Sequence, residues 1–359
     1  MRVLVFLLIT LFPGLSHAAG SALLRWQDTR QSVSVPQTDV TASKVWKLCA
    51  LYPSLKDSYW LSVNYGMLEA AKKYGVSLKV FEAGGYRQFT TQKTQIAQCQ
   101  QWGADAILLG SSTTTFPDLQ AQVGTLPVIE VVNAIHDPTV KARVGVPWFQ
   151  MGYQPGHYLV KWSAGKPLKV LLLPGPDDAG GSREMVAGFR QAIAGSQVHI
   201  VDVALGDNDI EVQRNLLQEM LERHPDVDVV AGTAIAAEAA MGEKRNQGTP
   251  LTVVSFYLSH QVYRGLKRER IIMAASDQMV WQGELAIQQA IRVLQGQPVR
   301  ENISPPILVL TPKNADSQHV QRSLSPGGFR PVYLYQYTSA AAARQSKRDT
   351  LTTNIGSRL

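Results

Sequence analysis

Short apolar runs alternate with segments of helical periodicity along most of this 359-residue chain, and this alternation limits the fold more than any other feature. A first block of the pattern covers residues 45–132. Its apolar runs, which suit buried strands, are Val45–Leu51, Val76–Phe81, Ala106–Leu109 and Val128–Val132. The helical segments between them are a first helix closed by Gly75, then Thr90–Trp102 and Pro117–Gly124. Such alternation predicts parallel βαβ units in one sheet.

A second block repeats the pattern from Lys169 onward. Its predicted strands are Lys169–Leu173, His199–Ala204, Val229–Gly232, Thr252–Ser255, Ile271–Ala275 and Pro305–Leu310. Its predicted helices are Ser182–Ala194, a helix capped within Asp207–Asp209 that runs through Arg223, Ala234–Arg245, Ser259–Arg268 and Met279–Gln295. The two blocks together predict an α/β protein with two doubly wound parallel-sheet lobes.

The first residues of the chain differ from this pattern. Arg2, the apolar run Val3–Phe12 and the small-residue site Ser16–Ala18 are typical of a cleavable signal peptide, which we assign to residues 1–18. The apolar run is too short to cross a bilayer, and a short buried helix is the alternative. A signal peptide predicts export to the periplasm.

The segments that flank the two blocks are polar. Residues 19–44 form an N-terminal extension with weak strand signals at Leu23–Trp26 and Ser32–Val35. Residues 339–359 are rich in Ala, Arg, Ser and Thr and lack apolar periodicity, which predicts a disordered tail.

Charge and motif content argue against several classes of function. The net charge of +7 is spread along the chain without a basic block that carries aromatic residues, which disfavours nucleic-acid binding. This excess of positive charge can serve solubility alone, or it can favour an acidic partner or an anionic membrane surface. Gly180-Gly181-Ser182 lacks the second glycine of a nucleophile elbow, Asp207-Asn208-Asp209 lacks the rest of a calcium loop, and the histidines show no metal spacing. We therefore predict no catalytic set, no metal and no cofactor.

Cys49 and Cys99 are the two cysteines of the chain, too few and too far apart for a zinc or iron–sulfur site. The oxidising periplasm allows a disulfide between them. Two buried thiols are the alternative, because sequence does not fix their geometry.

Ligands of parallel α/β sheets bind outside the carboxyl ends of the strands, so the residues that follow the predicted strands are the candidate site. These positions are 52–60, 82–86, 110–112, Asn133, 175–182, 232–233, 256–257 and 276–277.

Motifs at and between these positions, each weak alone, occur in a specific order. They are Tyr52-Pro53-Ser54 before a helix, residues 102–109, Leu126-Pro127-Val128-Ile129, Gly175-Pro176, Gly181–Glu184 and Gly188-Phe189. By their order and spacing, the chain from about Val45 to Leu310 resembles type I periplasmic binding proteins of the ribose-binding class. The resemblance implies two lobes that close over a ligand about three hinge crossings, near residues 144–148, 275–277 and 302–306. It implies an N-terminal lobe of residues 45–146 plus 277–303 and a C-terminal lobe of residues 147–276 plus 304–338.

The candidate site departs from the family's sugar-binding pattern by its aromatic content. Tyr59 and Trp60 occupy the places of the rings that stack on sugars, Tyr257 stands where sugar binders place an acid, and Asn133 brings neither an acid nor an arginine. An aromatic cleft suits a quaternary amine, which rings hold by cation–π contact. The predicted ligand-binding residues are Tyr59, Trp60, Tyr86, Asn133, Trp148, Arg183, Tyr257 and Asp277, with Trp281 as a further wall.

Each of these residues also has a structural alternative. Trp60 and Tyr257 can be core residues, and Trp148 can pack at a hinge crossing. Asp277 can cap the helix that follows it, and Arg183 can form a surface salt bridge.

Three segments carry a closer resemblance within the family, and they are Leu48–Trp60, Val146–Tyr153 and Ser255–His260. They resemble the periplasmic sensor proteins of trimethylamine-N-oxide respiration. This resemblance implies trimethylamine N-oxide as the ligand and, as the partner, the periplasmic domain of a membrane-bound histidine kinase, which would be the chain's only attachment to the membrane. Methyl groups would then meet the rings, and the N-oxide oxygen would need donors such as a Tyr hydroxyl, a Trp N–H, Asn133 or Arg183.

Two other functions stay open at this point. A transport receptor would deliver a sugar or a quaternary amine to an import permease, and a periplasmic enzyme would turn over a small substrate.

Overall fold

The structure is a computed structural model that describes residues 22–28, 30–177, 181–247, 251–316 and 318–338. The predicted signal peptide and the predicted tail lie outside the described residues. Among the helices described, none has the length and apolar character needed to cross a membrane.

The elements are named in chain order. The strands are β1 (Ala22–Trp26), β2 (Ser32–Pro36), β3 (Lys47–Tyr52), β4 (Ser77–Glu82), β5 (Ala106–Leu109), β6 (Val128–Val132), β7 (Val140–Gly145), β8 (Leu168–Gly175), β9 (Val198–Leu205), β10 (Val229–Gly232), β11 (Thr252–Ser255), β12 (Met273–Ser276), β13 (Ile303–Ser304), β14 (Leu308–Leu310) and β15 (Leu334–Tyr335). The helices are α1 (Ser58–Tyr74), α2 (Phe89–Gln101), α3 (Leu119–Val123), α4 (Trp148–Ser163), α5 (Ser182–Ile193), α6 (Ile210–Arg223), α7 (Ala234–Gln247), α8 (His260–Lys267) and α9 (Met279–Leu294), with a 3-10 turn at Gln318–Arg322.

The strands of the described chain form two sheets. The first has nine strands in the order β15-β4-β3-β5-β6-β7-β13-β1-β2. Its six strands β4, β3, β5, β6, β7 and β13 are each parallel to their neighbours within this group. The second has six strands in the order β14-β12-β11-β10-β8-β9, parallel except for β14. The first sheet with α1, α2, α3 and α9 is the first lobe, and the second sheet with α4 to α8 is the second lobe. The predicted fold class is confirmed.

Helix α9 belongs to the first lobe although it follows β12 of the second sheet. It packs against α1 through two glycines. A Cβ at Gly66 would lie 1.9 Å from the carbonyl oxygen of Val280, and one at Gly283 would lie 2.3 Å from that of Val63. Since any larger residue would separate the two backbones, glycine at these two positions permits the close helix contact.

The chain passes between the lobes at the three predicted hinge crossings. It crosses between β7 and α4, between β12 and α9, and between β13 and β14, and it returns to the first lobe between β14 and β15. The predicted assignment of residues 304–338 to the second lobe is wrong at its end, because β15 pairs antiparallel with β4 of the first sheet. The N-terminal extension also joins the first sheet, where β1 pairs with β13. The other predicted lobe boundaries stay predictions.

Among the longer elements, β7 and α4 were not predicted, and neither were the two-residue strands β13 and β15. Helix α4 contains Gly152, Pro155 and Gly156, residues that weaken a helical pattern in sequence. The glycines serve packing against α5, since a Cβ at Gly152 would lie 1.9 Å from the carbonyl oxygen of Met185. Tertiary contact thus outweighs low helix propensity here.

The two cysteines, whose state the sequence left open, form a disulfide. Cys49 lies on β3 and Cys99 on α2, and both are fully buried. The bond therefore ties a central strand of the first lobe to the helix that covers it.

Candidate functional site

A cavity of about 280 Å³, measured out to its open mouth, lies between the two lobes in the described chain. Its lining comes from the carboxyl ends of strands in both sheets, where the fold class predicts a ligand. The first lobe contributes Asp57, Tyr59, Tyr86 and Val132; Trp148, Pro174, Met185, Asn208, Thr233 and Tyr257 belong to the second. Side chains from both lobes leave little free space between them, so the site suits a ligand of few atoms.

Aromatic rings from both lobes meet at the cavity. Tyr59 of the first lobe and Tyr257 of the second are in edge-to-face contact, with ring centroids 5.5 Å apart. Only 3% of Tyr59 and 4% of Tyr257 are exposed. Because a ring contact across the cleft cannot survive a wide separation of the lobes, the cleft is closed in this structure.

Trp148, the first residue of α4, fits against Gly181 at the start of α5. A Cβ at Gly181 would lie 2.0 Å from the Cγ atom of Trp148, and the φ of Gly181 is +68°. Both facts require glycine, which fixes the Trp148 ring as a cavity wall. Its Nε1–H is buried and has no hydrogen-bond partner among the residues that the structure describes. An unpaired buried donor costs about 1–3 kcal/mol, so it marks a place for a ligand acceptor.

Asp57 is the acid among the cavity-lining residues, and it lies within the candidate positions 52–60 without being one of the predicted ligand-binding residues. It caps α1, because its Oδ1 accepts the backbone N–H of Tyr59 at 2.9 Å. Burial raises the pKa of Asp57 to about 6, although the hydrogen bond from the Tyr59 N–H acts to lower it. The carboxyl is therefore ionised at neutral pH. Asp57 could have been identified from the sequence, because it is an acidic helix cap in the short turn between the end of β3 and Tyr59.

Trp60 does not line the cavity. It is fully buried in the core, with its ring centroid 5.1 Å from that of Tyr52. Its Nε1–H donates to the Tyr86 hydroxyl at 3.1 Å. Trp60 therefore positions Tyr86, which is itself a cavity wall, and the core alternative for Trp60 is the correct one.

Asp277 also lies outside the lining, in the hinge crossing between β12 and α9. It is fully buried and accepts hydrogen bonds from the Tyr59 hydroxyl and the Gln282 amide. Burial raises the pKa of Asp277 to about 6, although both bonds oppose that shift. Asp277 thus orients the Tyr59 hydroxyl.

The remaining predicted residues fall elsewhere. The Asn133 amide is buried behind the cavity and donates to the Ser111 carbonyl at 2.8 Å. Arg183 is on the exposed surface, where it makes two hydrogen bonds to Asp177, so its predicted place in the cleft is wrong. Trp281 packs under the Arg322 guanidinium, 4.5 Å from the ring centroid, and is not a cavity wall.

Val132 brings an unusual backbone conformation to the cavity. Its φ is +69°, a rare value for a β-branched residue, and the N–H of Asn133 bonds to the Val131 carbonyl at 2.8 Å across it. Such strain persists only where surrounding structure enforces it, and it is frequent at ligand sites. No property of the sequence predicted this turn.

Taken together, the lining has four aromatic rings, one ionised carboxylate and, among the described residues, one unpaired N–H donor on Trp148 and one unpaired acceptor, the Oδ1 of Asn208. Rings and a carboxylate favour a cation without N–H groups, and the donor favours an acceptor atom on the same ligand. Among the described residues no cluster of metal-ligating side chains occurs.

Comparison with known proteins shows the family to which the chain belongs. Residues 45–338 match the family model described as periplasmic binding proteins and sugar binding domain of LacI family. The chain is 75% identical over 341 residues to the periplasmic protein TorT of Escherichia coli (strain K12), covering 95% of this chain and 99% of the relative.

Two solved structures are also similar. One is a complex of the TorS sensor domain with TorT in the presence of trimethylamine N-oxide (TMAO), with 43% identity, a TM-score of 0.74, and coverage of 80% of this chain and 99% of that one. The other is an ABC transporter solute binding protein from Bradyrhizobium sp. BTAi1 with bound bis-tris, with 34% identity, a TM-score of 0.76, and coverage of 89% and 99%.

Proposed function

We propose, from the premise that this chain belongs to the family of periplasmic binding proteins and LacI-type sugar-binding domains, that it is a periplasmic receptor for TMAO. It closes on TMAO and signals the presence of this ligand to the sensor domain of the membrane histidine kinase TorS, which induces TMAO respiration. It binds its ligand without turning it over.

The observation that carries this proposal is the closed cavity with rings from both lobes, one carboxylate and one unpaired N–H. The three methyl groups of TMAO contact the rings of Tyr59, Tyr86, Trp148 and Tyr257, at about 0.5–2 kcal/mol per ring. The ionised Asp57 balances the positive nitrogen. The N-oxide oxygen accepts the Nε1–H of Trp148, which has no partner in the described protein.

The same cavity discriminates against related amines. Glycine betaine shares the trimethylammonium group but adds a carboxylate, which would repel Asp57 in a small closed cavity. Choline adds two carbons and a hydroxyl, a weaker acceptor than an N-oxide. We therefore expect affinity to fall from TMAO to choline and again to betaine.

The kinase assignment is supported by relatedness and by the closure geometry. A relative with 75% identity is named TorT, and a similar solved complex contains the TorS sensor domain. Closure changes the surface that both lobes present, so a partner that prefers the closed form strengthens ligand binding, and the ligand strengthens partner binding by the same factor.

The test is a calorimetric titration of the mature protein with TMAO, with and without the purified TorS sensor domain. We expect TMAO binding that becomes tighter when the sensor domain is present. No heat in either titration would disprove the ligand. A proton NMR spectrum of the ligand after overnight incubation checks that the protein does not consume it.

An import receptor is the second candidate, because a similar structure is an ABC transporter solute binding protein with bound bis-tris, itself an amine. TMAO binding that is unchanged by the sensor domain would favour this alternative. So would a heat signal from a sugar or another quaternary amine in place of TMAO.

A further inference from the structure

Residues 323–335, which we name the C-terminal strap, contact both lobes. At the start of the strap, the hydroxyl of Ser323 accepts that of Ser276, the last residue of β12 in the second sheet, at 2.7 Å. At its end, β15 pairs with β4 on the first sheet. The strap thus spans the junction of the lobes outside the three hinge crossings.

Ser325 bonds to both lobes with its backbone. Its N–H donates to the Ser62 hydroxyl on α1 at 3.2 Å, and its carbonyl oxygen lies 2.9 Å from His260 Nε2 on α8. Ser62 lies one helical turn after Tyr59, and His260 lies three residues after Tyr257. Rotation of the lobes moves α1 away from α8, so Ser325 keeps both bonds only when the rings of the cavity wall are in contact.

The far end of the strap is anchored to the first lobe. The buried Asn64 side chain both donates to the Val332 carbonyl, at 3.1 Å, and accepts its N–H, at 3.0 Å. Phe329 packs edge-on against Tyr65 with ring centroids 5.1 Å apart. The segment between Ser325 and this anchor therefore responds when the lobes move.

The anchored end exposes apolar side chains at an edge of the first sheet. Tyr333 is 48% exposed and Leu334 50%, and they are the most exposed large apolar side chains in the described chain. Leu334 begins β15, and Tyr333 directly precedes it and accepts the Val80 N–H of β4 at 2.8 Å through its carbonyl oxygen. The edge therefore presents two neighbouring apolar side chains to solvent.

The surroundings of this edge are basic. Lys79 pairs with Leu334 in the strand register, and Arg330 is exposed on the strap. Neither has a carboxylate within salt-bridge distance among the described residues. The Lys79 ammonium lies over the rings of Phe81 and Trp102, 5.0 and 5.8 Å from their centroids. An apolar edge beside cations that lack a carboxylate partner fits a partner surface that carries apolar groups ringed by acids.

We propose that the C-terminal strap is the surface through which the kinase sensor domain detects closure of the cleft, with Tyr333 and Leu334 as its apolar contact. This inference rests on the proposed function, and its occupant is a sensor-domain surface with an apolar centre and an acidic rim. Ser325 links that surface to the ligand cavity through α1 and α8.

Leu334→Glu tests the proposal, because it puts a charge into an exposed apolar contact without touching the cavity. The matched control is Trp162→Glu, which changes a side chain of similar exposure, 45%, on α4 of the second lobe. Each variant is titrated with TMAO, with and without the TorS sensor domain. Titration without the domain also checks folding, and Leu334→Ser gives a milder second variant.

We expect both variants to bind TMAO alone as the unmodified protein does. The tightening by the sensor domain, for which about 5–150-fold is typical of such coupling, should disappear in Leu334→Glu and persist in Trp162→Glu. Full tightening in Leu334→Glu would overturn the proposal. The proposal would also be overturned if Ile210→Glu, a substitution at another exposed apolar site, lost the tightening by the sensor domain while Leu334→Glu kept it. An unmodified protein that binds TMAO without any response to the domain would refute the kinase function and this inference together.

Discussion

At the residue scale, the unpaired N–H of Trp148 gives a direct test of how the ligand oxygen is held. Trp148→Phe keeps an aromatic wall and removes the donor. We expect TMAO affinity to fall about tenfold, or roughly 1.4 kcal/mol, which is the range for one hydrogen bond to a strongly polarised oxygen. Calorimetric titration of the variant and the unmodified protein measures the difference.

Two controls separate the hydrogen bond from ring packing. Tetramethylammonium has no oxygen, so its affinity should be nearly the same in both proteins. Trp281→Phe makes the same substitution outside the cavity and should leave TMAO affinity unchanged. If Trp148→Phe lowered the affinity for both ligands equally, the donor role would be wrong and only the shape of the ring would matter.

Asp57 makes a second residue-scale prediction, on stability. Burial raises its pKa from 3.8 to about 6, so the folded state binds this proton more tightly than the unfolded state. The ionised carboxyl therefore destabilises the ligand-free protein above pH about 6, by about 2–3 kcal/mol, and this cost disappears below about pH 4. Because Asn caps helices as well as Asp, Asp57→Asn should raise the melting temperature at pH 7.5 and leave it unchanged near pH 4.

The same substitution should weaken ligand binding. Loss of the negative charge lowers TMAO affinity, and for the unmodified protein affinity should fall as pH drops through about 6. Asp177→Asn is the control, because Asp177 is an exposed partner of Arg183 away from the cavity. An affinity that rises as pH falls would instead mean that a protonated Asp57 donates to the N-oxide.

At the residue scale, three of the cavity-lining rings could be located from predicted strand ends. Tyr59, Tyr86 and Tyr257 follow predicted strands, whereas Trp148 lies at a predicted hinge crossing, and all four line the cavity. Sequence could not separate Tyr59 from its neighbour Trp60, because adjacent helical residues point about 100° apart and the rotation of α1 depends on packing. That these rings bind the ligand stays a prediction.

At the element scale, the disulfide joins β3 to α2 and closes a long segment of chain, with a sequence separation of 50. Loop-closure entropy predicts a stabilisation of about 2–4 kcal/mol. Replacing both cysteines with alanine should lower the free energy of unfolding by this amount in urea titrations. TMAO affinity should change little, since neither residue contacts the cavity.

The single substitutions control this comparison. Each leaves one buried thiol and no bond, so Cys49→Ala and Cys99→Ala should each lose nearly as much stability as the double variant. A double variant as stable as the unmodified protein would show that the bond does not stabilise the fold. Such a result would also show that the buried packing of the two cysteine side chains contributes little to the free energy of unfolding.

Elements with strong periodicity could be predicted from the sequence. Elements whose formation depends on tertiary contacts could not. Helix α9 was placed within one residue because its apolar spacing is regular. Helix α4 was missed because glycine and proline obscure its pattern and its close contact with α5 is visible only in three dimensions. Strand β15 has two residues, too few for any periodic signal.

At the scale of the whole molecule, the ring contact between Tyr59 and Tyr257 is the part of the cavity wall that joins the lobes directly. Tyr257→Ala removes this contact and one ring of the ligand cage, whereas Tyr257→Phe keeps both and removes only the hydroxyl. Ligand shifts the lobes to the closed form by its differential affinity for that form. The closed form of the alanine variant should therefore be destabilised in two ways, by loss of the ring contact between the lobes and by loss of one ring contact with the ligand.

We expect Tyr257→Ala to bind TMAO at least about fivefold more weakly, because it loses an aromatic contact of about 0.5–1.5 kcal/mol across the lobes in addition to one cation–π contact of about 0.5–2 kcal/mol. Small-angle X-ray scattering measures closure as a decrease in radius of gyration on titration with TMAO. The decrease should require more TMAO in Tyr257→Ala and about the same amount in Tyr257→Phe. Equal titration midpoints for the two variants would show that the lobes close without this contact, and the hinge crossings would then be the main determinant of the closed state.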